Sequence, residues 1–299
     1  MVDIVCVIVT YNRVNLLKKV VTSVLMQDYP ISKILIIDNA SVDETFEVIS
    51  EMAENNTAIS YHNTGGNLGG AGGFNFGFKV AEKYKYDYLW IMDDDLVPEP
   101  DCLSQLIATN NNGITQPLRL NLDGSCAELS PITYNLSNPF YLSPKRKSVI
   151  DVFKDKHSSD LIEIQGIPFE GPLISKDVID TIGYPNLNFF IFYDDLDYAI
   201  RARKNGFKII CNPSAKAIRQ LKNNQTNDLK SWKGYFMLRN LFHIHYIYGN
   251  NIFVKLKPLL LVTGLTLSSL LRLELKMIKV IFSSYLDSFK LKNTDKHKP

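Results

Sequence analysis

Three consecutive carboxylates, Asp93, Asp94 and Asp95, follow directly on the apolar run Tyr88-Leu89-Trp90-Ile91-Met92. An uninterrupted hydrophobic run of strand length reads as a strand buried on both faces of a parallel sheet, and such sheets bind ligands beyond the carboxyl ends of their strands. Like charges side by side repel, and a divalent cation relieves this best when a diphosphate completes its oxygen coordination. The triplet therefore suits a metal–nucleotide site, although Asp also favours solvated turns and helix starts. A second acidic cluster, Asp194, Asp195 and Asp197, leaves the aromatic run Phe189-Phe190-Ile191-Phe192-Tyr193 and enters an amphipathic helix. Helix capping alone would place acids there. Two clusters in one domain also suit a division of labour, one holding a metal and the other taking a proton from an attacking hydroxyl.

Between them in the argument stands a glycine run, Asn63-Thr64-Gly65-Gly66-Asn67-Leu68-Gly69-Gly70-Ala71-Gly72-Gly73-Phe74-Asn75, with six glycines in nine positions. Glycine lets backbone approach a ligand closely, and a helix start beyond it offers free N–H groups to an anion. The run is neither Gly-x-Gly-x-x-Gly, since Asn75 stands at the last position, nor a P-loop, so dinucleotide dehydrogenases and P-loop enzymes are disfavoured. A plain flexible linker would be better served by mixed Gly and Ser.

These residues need elements to hold them. Hydrophobic periodicity predicts strands at Ile4–Val9, Lys33–Ile37, Ile59–His62, Asp87–Met92 and Ile114–Asn121. It predicts helices at Asn15–Met26, Asp43–Asn55, Phe74–Lys85 and Glu99–Thr109. Strand and helix alternate, which gives a doubly wound α/β structure with a parallel-rich sheet and right-handed crossovers. Asn111 to Gln165, punctuated by prolines, reads as a polar, loop-rich insertion.

The chain has 299 residues, 45% hydrophobic and 21% charged, enough for one large domain with an appendage. A formal charge of +2 excludes a dedicated nucleic-acid binder, but the charge is uneven. Residues 252–299 carry nine Lys and Arg against three Asp and Glu, and the preceding 251 residues carry −4. Within this tail the longest uncharged stretch, Pro258 to Leu271, has 14 residues, short of the roughly 20 that span a bilayer. A basic amphipathic helix lying on an anionic membrane is the expectation, against helices that pack on the body or join two copies. Cys6, Cys102, Cys126 and Cys211 are far apart, with no zinc spacing and no disulfide framework, and the chain opens on a strand rather than a signal peptide. A reducing, cytoplasmic setting follows as an expectation.

With these residues in view the chain resembles the inverting glycosyltransferases of family 2, which have the GT-A fold. The resemblance runs from about Val2 to Asn250 through Val9-Thr10-Tyr11-Asn12-Arg13, Ile37-Asp38-Asn39-Ala40-Ser41, the glycine run, Met92-Asp93-Asp94-Asp95, Phe169-Glu170-Gly171-Pro172 and Tyr193-Asp194-Asp195-Leu196-Asp197. It implies a catalytic domain over 1–250, with nucleotide-binding residues up to about 110 and acceptor-binding residues from 111, and a helical region over 251–299. A nucleotide-sugar donor would contact Thr10, Tyr11, Asn12, Arg13, Asp38, Asn67, Gly69, Gly70, Gly73, Asp93 and Asp94. Asp93 and Asp95 match the family's Asp-x-Asp positions, with Mn²⁺ or Mg²⁺ bridging the phosphates and Asp95 the first choice of ligand. Asp195 matches the general base, and Asp194, Asp197, Gly171 and Tyr193 would meet the acceptor.

Gly69-Gly70-Ala71-Gly72-Gly73-Phe74 with Trp90-Ile91-Met92-Asp93-Asp94-Asp95 looks like the galactofuranosyl- and rhamnosyltransferase branch, which points to UDP-galactofuranose as donor, with dTDP-rhamnose as the alternative. That branch often has a metal-binding Trp-His pair about two dozen residues after the base. Here the place reads Ala217-Ile218-Arg219-Gln220. Arg219 or Lys222 is then expected to neutralise the diphosphate, with His243 or His245 as a further candidate ligand. Tyr141, Tyr184, Phe189, Phe190 and Tyr193 are candidate sugar platforms. The partners implied are a glycan or lipid-linked acceptor in bacterial surface polysaccharide synthesis, the inner face of the cell membrane, no nucleic acid, and a second copy in a homo-oligomer. A glycoside hydrolase also uses paired carboxylates, and a non-catalytic sugar- or nucleotide-binding module is the other class; metal dependence and turnover separate the three.

Overall fold

The apolar runs become the centre of a mixed sheet flanked by helices. The computed structural model describes residues 2–141, 143–153, 160–221, 228–291 and 297–298. In the first half strands and helices alternate: β1 (Ile4–Thr10), α1 (Val14–Leu25), β2 (Lys33–Asp38), α2 (Thr45–Asn55), β3 (Ile59–Asn63), α3 (Gly69–Ala81), β4 (Tyr88–Asp93), β5 (Leu96–Pro98) and α4 (Cys102–Ala108). The second half holds β6 (Ile114–Leu120), β7 (Pro131–Tyr134), β8 (Lys145–Ser148), α5 (Val149–Val152), β9 (Ile162–Glu163), β10 (Leu173–Ser175), α6 (Lys176–Ile182), α7 (Asp194–Lys204) and β11 (Ile209–Arg219). Helices α8 (Lys233–Tyr248), α9 (Ile252–Leu271) and α10 (Leu275–Ser288) follow.

The sheet order is β3-β2-β1-β4-β10-β6-β11-β5, with β9 also pairing β11. Strands β3, β2, β1 and β4 are parallel, β10 runs antiparallel between β4 and β6, and β6 and β11 are parallel. Nucleotide-side and acceptor-side residues thus share one sheet. The register aligns Thr10 with Asp38 and Val9 with Asp93, so three strands deliver their last polar residues to one edge. One core cluster, with Val7, Ile37, Phe78 and Tyr198, fills one face of the sheet; another, with Ile8, Leu17, Ile36 and Trp90, fills the other.

Two sequence expectations change. The glycine run does not precede its helix: α3 begins at Gly69, five residues before the expected Phe74, so four of the six glycines lie in the helix. Tertiary packing overrides glycine's poor helix propensity, because a Cβ on Gly73 would stand 2.6 Å from Val9 Cγ1 and one on Gly77 2.5 Å from Val7 Cγ1. The glycines let α3 lie flush on β1. The strand expected at Ile114–Asn121 is β6, which joins the main sheet; the rest of the insertion is more structured than expected, since β7 pairs with β8 in a separate hairpin and β9 pairs with β11.

In the tail, α9 is a continuous 20-residue helix, long and apolar enough to cross a membrane by length and composition. It exceeds the 14-residue uncharged stretch because Lys255 and Lys257 are part of it, and the buried Lys257 ammonium donates to the Tyr141 carbonyl.

Candidate active site

At the carboxyl ends of β1 and β4, a cleft of about 370 Å³ is lined by Val9, Thr10, Tyr11, Arg13, Asn39, Asn67, Gly69, Gly70, Asp93, Asp94, Phe190, Ile191 and Trp232. That volume falls in the roughly 300–1,000 Å³ range of small-molecule sites. Eight of the expected donor residues, Thr10, Tyr11, Arg13, Asn67, Gly69, Gly70, Asp93 and Asp94, come together here. Asp94 is turned inward: it accepts from Thr10 Oγ1 at 2.8 Å and from Arg13 Nη1 at 3.1 Å, so it positions the β1–α1 turn rather than presenting free oxygens. Asn12 and Asp38 brace the same turn from behind. Ser41 Oγ accepts from the Asn12 amide at 2.8 Å, and Asp38 accepts from Ser41 Oγ at 2.6 Å and from Tyr61 Oη at 2.6 Å. Neither they nor Gly73 lines the cleft.

Asp93 and Asp95 are held against their charge. Burial, then Asp95, Glu170 and Asp94, push the Asp93 carboxyl well above the usual carboxylate range, opposed by Arg13. Burial, then Glu170 and Asp94, push Asp95 up to about 6. Such an excess of buried acid over base fits a divalent cation. Among the described residues no third His, Cys, Asp or Glu completes a metal cluster, so the remaining coordination would have to come from ligand and water oxygens. His243 and His245 do not supply it. His243 Nδ1 donates to the Ser288 carbonyl at 2.8 Å and stacks edge-on to Phe189, while His245 Nδ1 donates to the Leu241 carbonyl at 2.9 Å in the helix core. His243 is thus turned to α10 and His245 to its own helix, and neither lines the cleft.

A second cleft, about 320 Å³, holds Asp195 with Tyr193, Phe192, Glu170, Arg119, Arg219, Ser130, Tyr134, Lys145 and Met237 among its walls. Burial, opposed by the Leu196 amide and reinforced by Glu170, pushes Asp195 up to about 6. Buried Arg119 forks onto Glu128 at 2.8 and 2.9 Å and reaches Glu170 at 2.6 Å, while Arg219 pairs with Glu170 at 3.0 Å. Glu170 is the hinge between the two sites: its charge bears on Asp93 and Asp95 on one side and on Asp195 on the other.

This corrects several expected positions. Arg219 lines the Asp195 cleft rather than the donor cleft, drawn there by Glu170. Lys222 lies outside the described residues. Asp197 is turned into the fold, accepting from Arg201 Nε at 2.9 Å and Tyr248 Oη at 2.5 Å, and Asp194 is buried. Gly171, at φ 90°, is a packing position whose Cβ would meet Pro117 and Leu96 within 2.9 Å. Of the expected platforms, Phe190 and Tyr193 line clefts, whereas Phe189 is core, Tyr184 packs against the core and Tyr141 sits under Arg146.

The wall shared by both clefts is unusual backbone. Phe190, Phe192 and Tyr193 have φ of 65°, 63° and 67°, a left-handed region that costs a non-glycine residue on the order of 1–3 kcal/mol. Fully buried Asn240 pins the segment, its Nδ2 donating to the Phe189, Ile191 and Phe192 carbonyls at 3.1, 2.7 and 2.9 Å. Arg239 Nη2 donates to the Asn188 and Phe189 carbonyls. Phe190 O in turn accepts from the Ala71 amide at 3.0 Å, where Gly69, at φ 71°, leaves no room for a Cβ. Sequence reading assigned no role to Arg119, Glu170, Trp232, Arg239 or Asn240. Two signals were visible: Glu170 within Phe169-Glu170-Gly171-Pro172, and the polar pair Arg239-Asn240 inside a largely apolar helix.

The chain matches the model of Glycosyl transferase family 2 over residues 5–114. It is similar to galactofuranosyltransferase GlfT1 of Mycolicibacterium smegmatis, 29% identical over 215 residues that cover 68% of this chain and 67% of that protein. Two solved structures share the fold. The mannosyltransferase PcManGT from Pyrobaculum calidifontis, in complex with GDP-Man and Mn²⁺, superposes with a TM-score of 0.58 at 14% identity, covering 97% of this chain and 89% of that one. GalNAc-T7 with UDP, GalNAc and Mn²⁺ does so with a TM-score of 0.58 at 13% identity, over 86% of this chain and 54% of that one, so the chain spans about half its length. The chain thus has the GT-A fold, matches the family 2 glycosyltransferases over residues 5–114, and is similar to a galactofuranosyltransferase over about two thirds of its length.

Proposed function

We propose that the chain transfers galactofuranose from UDP-galactofuranose to a hydroxyl of a glycan or lipid-linked saccharide, with inversion at the anomeric carbon. The observation that carries this reading is a pair of clefts, one reaching Asp93 with Asp95 close behind it and the other holding Asp195, with Glu170 in the second cleft bearing electrostatically on all three carboxyls. Similarity to GlfT1 supports the donor sugar. The nucleotide lies in the first cleft against Thr10, Tyr11 and Arg13. A divalent cation, Mn²⁺ or Mg²⁺, would be held by Asp93 and Asp95 and supply charge neutralisation of the diphosphate. Mn²⁺ in the two GT-A neighbours supports a metal here.

The acceptor enters the second cleft with its hydroxyl at Asp195. Asp195 takes the proton as the oxygen bonds to the anomeric carbon, and the bond to the diphosphate breaks on the opposite side. Glu170 keeps Arg119 and Arg219 in place between the two groups.

The test is nucleotide release by the full chain with Mn²⁺, across UDP-galactofuranose, UDP-galactopyranose, UDP-glucose, UDP-N-acetylglucosamine and dTDP-rhamnose, with and without chelator and a membrane-lipid extract. Chelator-sensitive release from UDP-galactofuranose, raised by the extract, is expected. Release from dTDP-rhamnose alone would replace the donor, and release from none would remove the catalytic reading. Asp95→Ala should weaken Mn²⁺-dependent UDP binding by about tenfold or more, in the range that loss of one coordinating group produces, as read by calorimetry.

A further inference from the structure

The helical tail exposes what a water-facing surface seldom does. On α9 the outward stripe Phe253, Leu256, Leu260, Leu267 and Leu271 repeats at helical spacing, and each residue is 52–87% exposed. The opposite side of α9 is occupied, since Val262 packs with Leu238 and Phe242 of α8 and with Ile281 of α10. On α10 the exposed side carries Leu275, Phe282, Leu286 and Phe289 interleaved with Lys276, Lys279 and Lys290. Contiguous apolar surface of this extent on a single chain marks an interaction site.

Its charge says what covers it. Besides those lysines, Lys255 and Arg272 are exposed, whereas the two acids of α9–α10 and their linker are engaged. Glu274 accepts from Lys230 at 2.8 Å, and Asp287 accepts from Tyr235 Oη at 2.6 Å. A second copy docked by two-fold symmetry would set these cations against their own images. A partner surface that is apolar within and anionic at its rim matches both features, as in a basic helix seated in the headgroup layer.

We propose that the α9–α10 face is a docking surface for an anionic lipid bilayer, with both helices lying in the membrane plane. In-plane seating fits the cations on the exposed side of α10 and the attachment of α9 along its inner side, which a spanning helix would have to surrender. The proposal also orients the enzyme. Asn250 and Asn251 at the start of α9 bind Ser137, in the loop between β7 and β8 that carries the 90%-exposed Phe140. The same hairpin contributes Tyr134 and Lys145 to the Asp195 cleft. Docking therefore brings the acceptor cleft close to the lipid surface, which deepens the proposed lipid-linked acceptor and, in that consequence, rests on that reading.

The test needs neither donor nor acceptor, so its failure is separate from failure of the proposed activity. The full chain is sedimented with vesicles of equimolar phosphatidylcholine and phosphatidylglycerol, and with phosphatidylcholine alone. Strong binding to the anionic vesicles is expected, weakened by salt and extracted by alkaline carbonate. The triple variant L260E/L267E/L271E should lower partitioning by at least ~10-fold, with K276E/K279E lowering it less. Circular dichroism should show both variants folded, since all five side chains are exposed. No binding to anionic vesicles, or binding that the triple variant leaves unchanged, overturns the proposal. Carbonate-resistant insertion would mean a spanning helix, and a wild-type dimer made monomeric by the triple variant without lipid binding would mean a second copy; either overturns it.

Discussion

Asp195 has to be ionised to accept a proton, yet burial and Glu170 hold its carboxyl up to about 6. Activity should therefore rise with pH through about 6 and level off above it, because the ionised fraction grows tenfold per unit below that point. Asp195→Asn should lower kcat by ~10²- to 10⁴-fold, the usual contribution of a general base, while leaving UDP affinity unchanged. Residual transfer by Asp195→Asn should lose the rise near pH 6, and normal turnover with the same pH profile would show that another group takes the proton. The carboxylates were legible in sequence because two acidic clusters, one ending an apolar strand and one an aromatic run, occur in one α/β domain. Their partners were not. Arg119 and Glu170 stand 51 residues apart in the chain and meet because β6 and β10 are neighbours in the sheet, and Glu128 reaches Arg119 only because the chain folds back after β6.

At the scale of elements, the glycine run shows how far periodicity carries. Its position after β3 was readable; its conformation was not, because four of the glycines are helical, with Gly73 packed on Val9 of β1 and Gly69 on Phe190. Gly73→Ala should force α3 away from Val9 and cost about 1–3 kcal/mol, as overpacking does, lowering the midpoint of chemical denaturation. A stability equal to wild type would show that α3 can retreat freely. The Phe190–Tyr193 segment is the other case, since no local sequence rule anticipates three left-handed non-glycine residues in four positions. Their geometry is set from α8. Asn240→Leu removes a donor to three carbonyls; that of Phe189 keeps Arg239 Nη2 and the Ile191 amide, while those of Ile191 and Phe192 lose theirs at about 1–3 kcal/mol each. Because the segment walls both clefts, kcat should fall and KM for donor and acceptor should both rise, even well below the melting temperature. A variant that only melted earlier would confine Asn240 to a structural role.

For the whole molecule, the acids of both sites set one stability profile. Asp93, Asp94, Asp95, Asp194 and Asp195 all hold protons more tightly folded than unfolded. From about pH 4, the ordinary carboxylate range, to about 6 and beyond, the folded chain thus binds more protons than the unfolded one, and its stability must fall as pH rises through that window. Two carboxyls near 6 are each worth on the order of 3 kcal/mol by this linkage, less whatever their neighbours relax. Opposing groups such as Glu128, whose carboxyl Arg119 holds low despite burial, lose their contribution only at lower pH. The melting temperature of the chain alone should accordingly drop between pH 5 and about 7.5. Mn²⁺ with UDP should restore much of the loss at the upper end and little at the lower, because protons and a cation compete for Asp93 and Asp95. A melting temperature that instead climbed with pH, or a ligand effect independent of pH, would mean that these carboxylates are already neutralised within the fold and are not the seat of the metal.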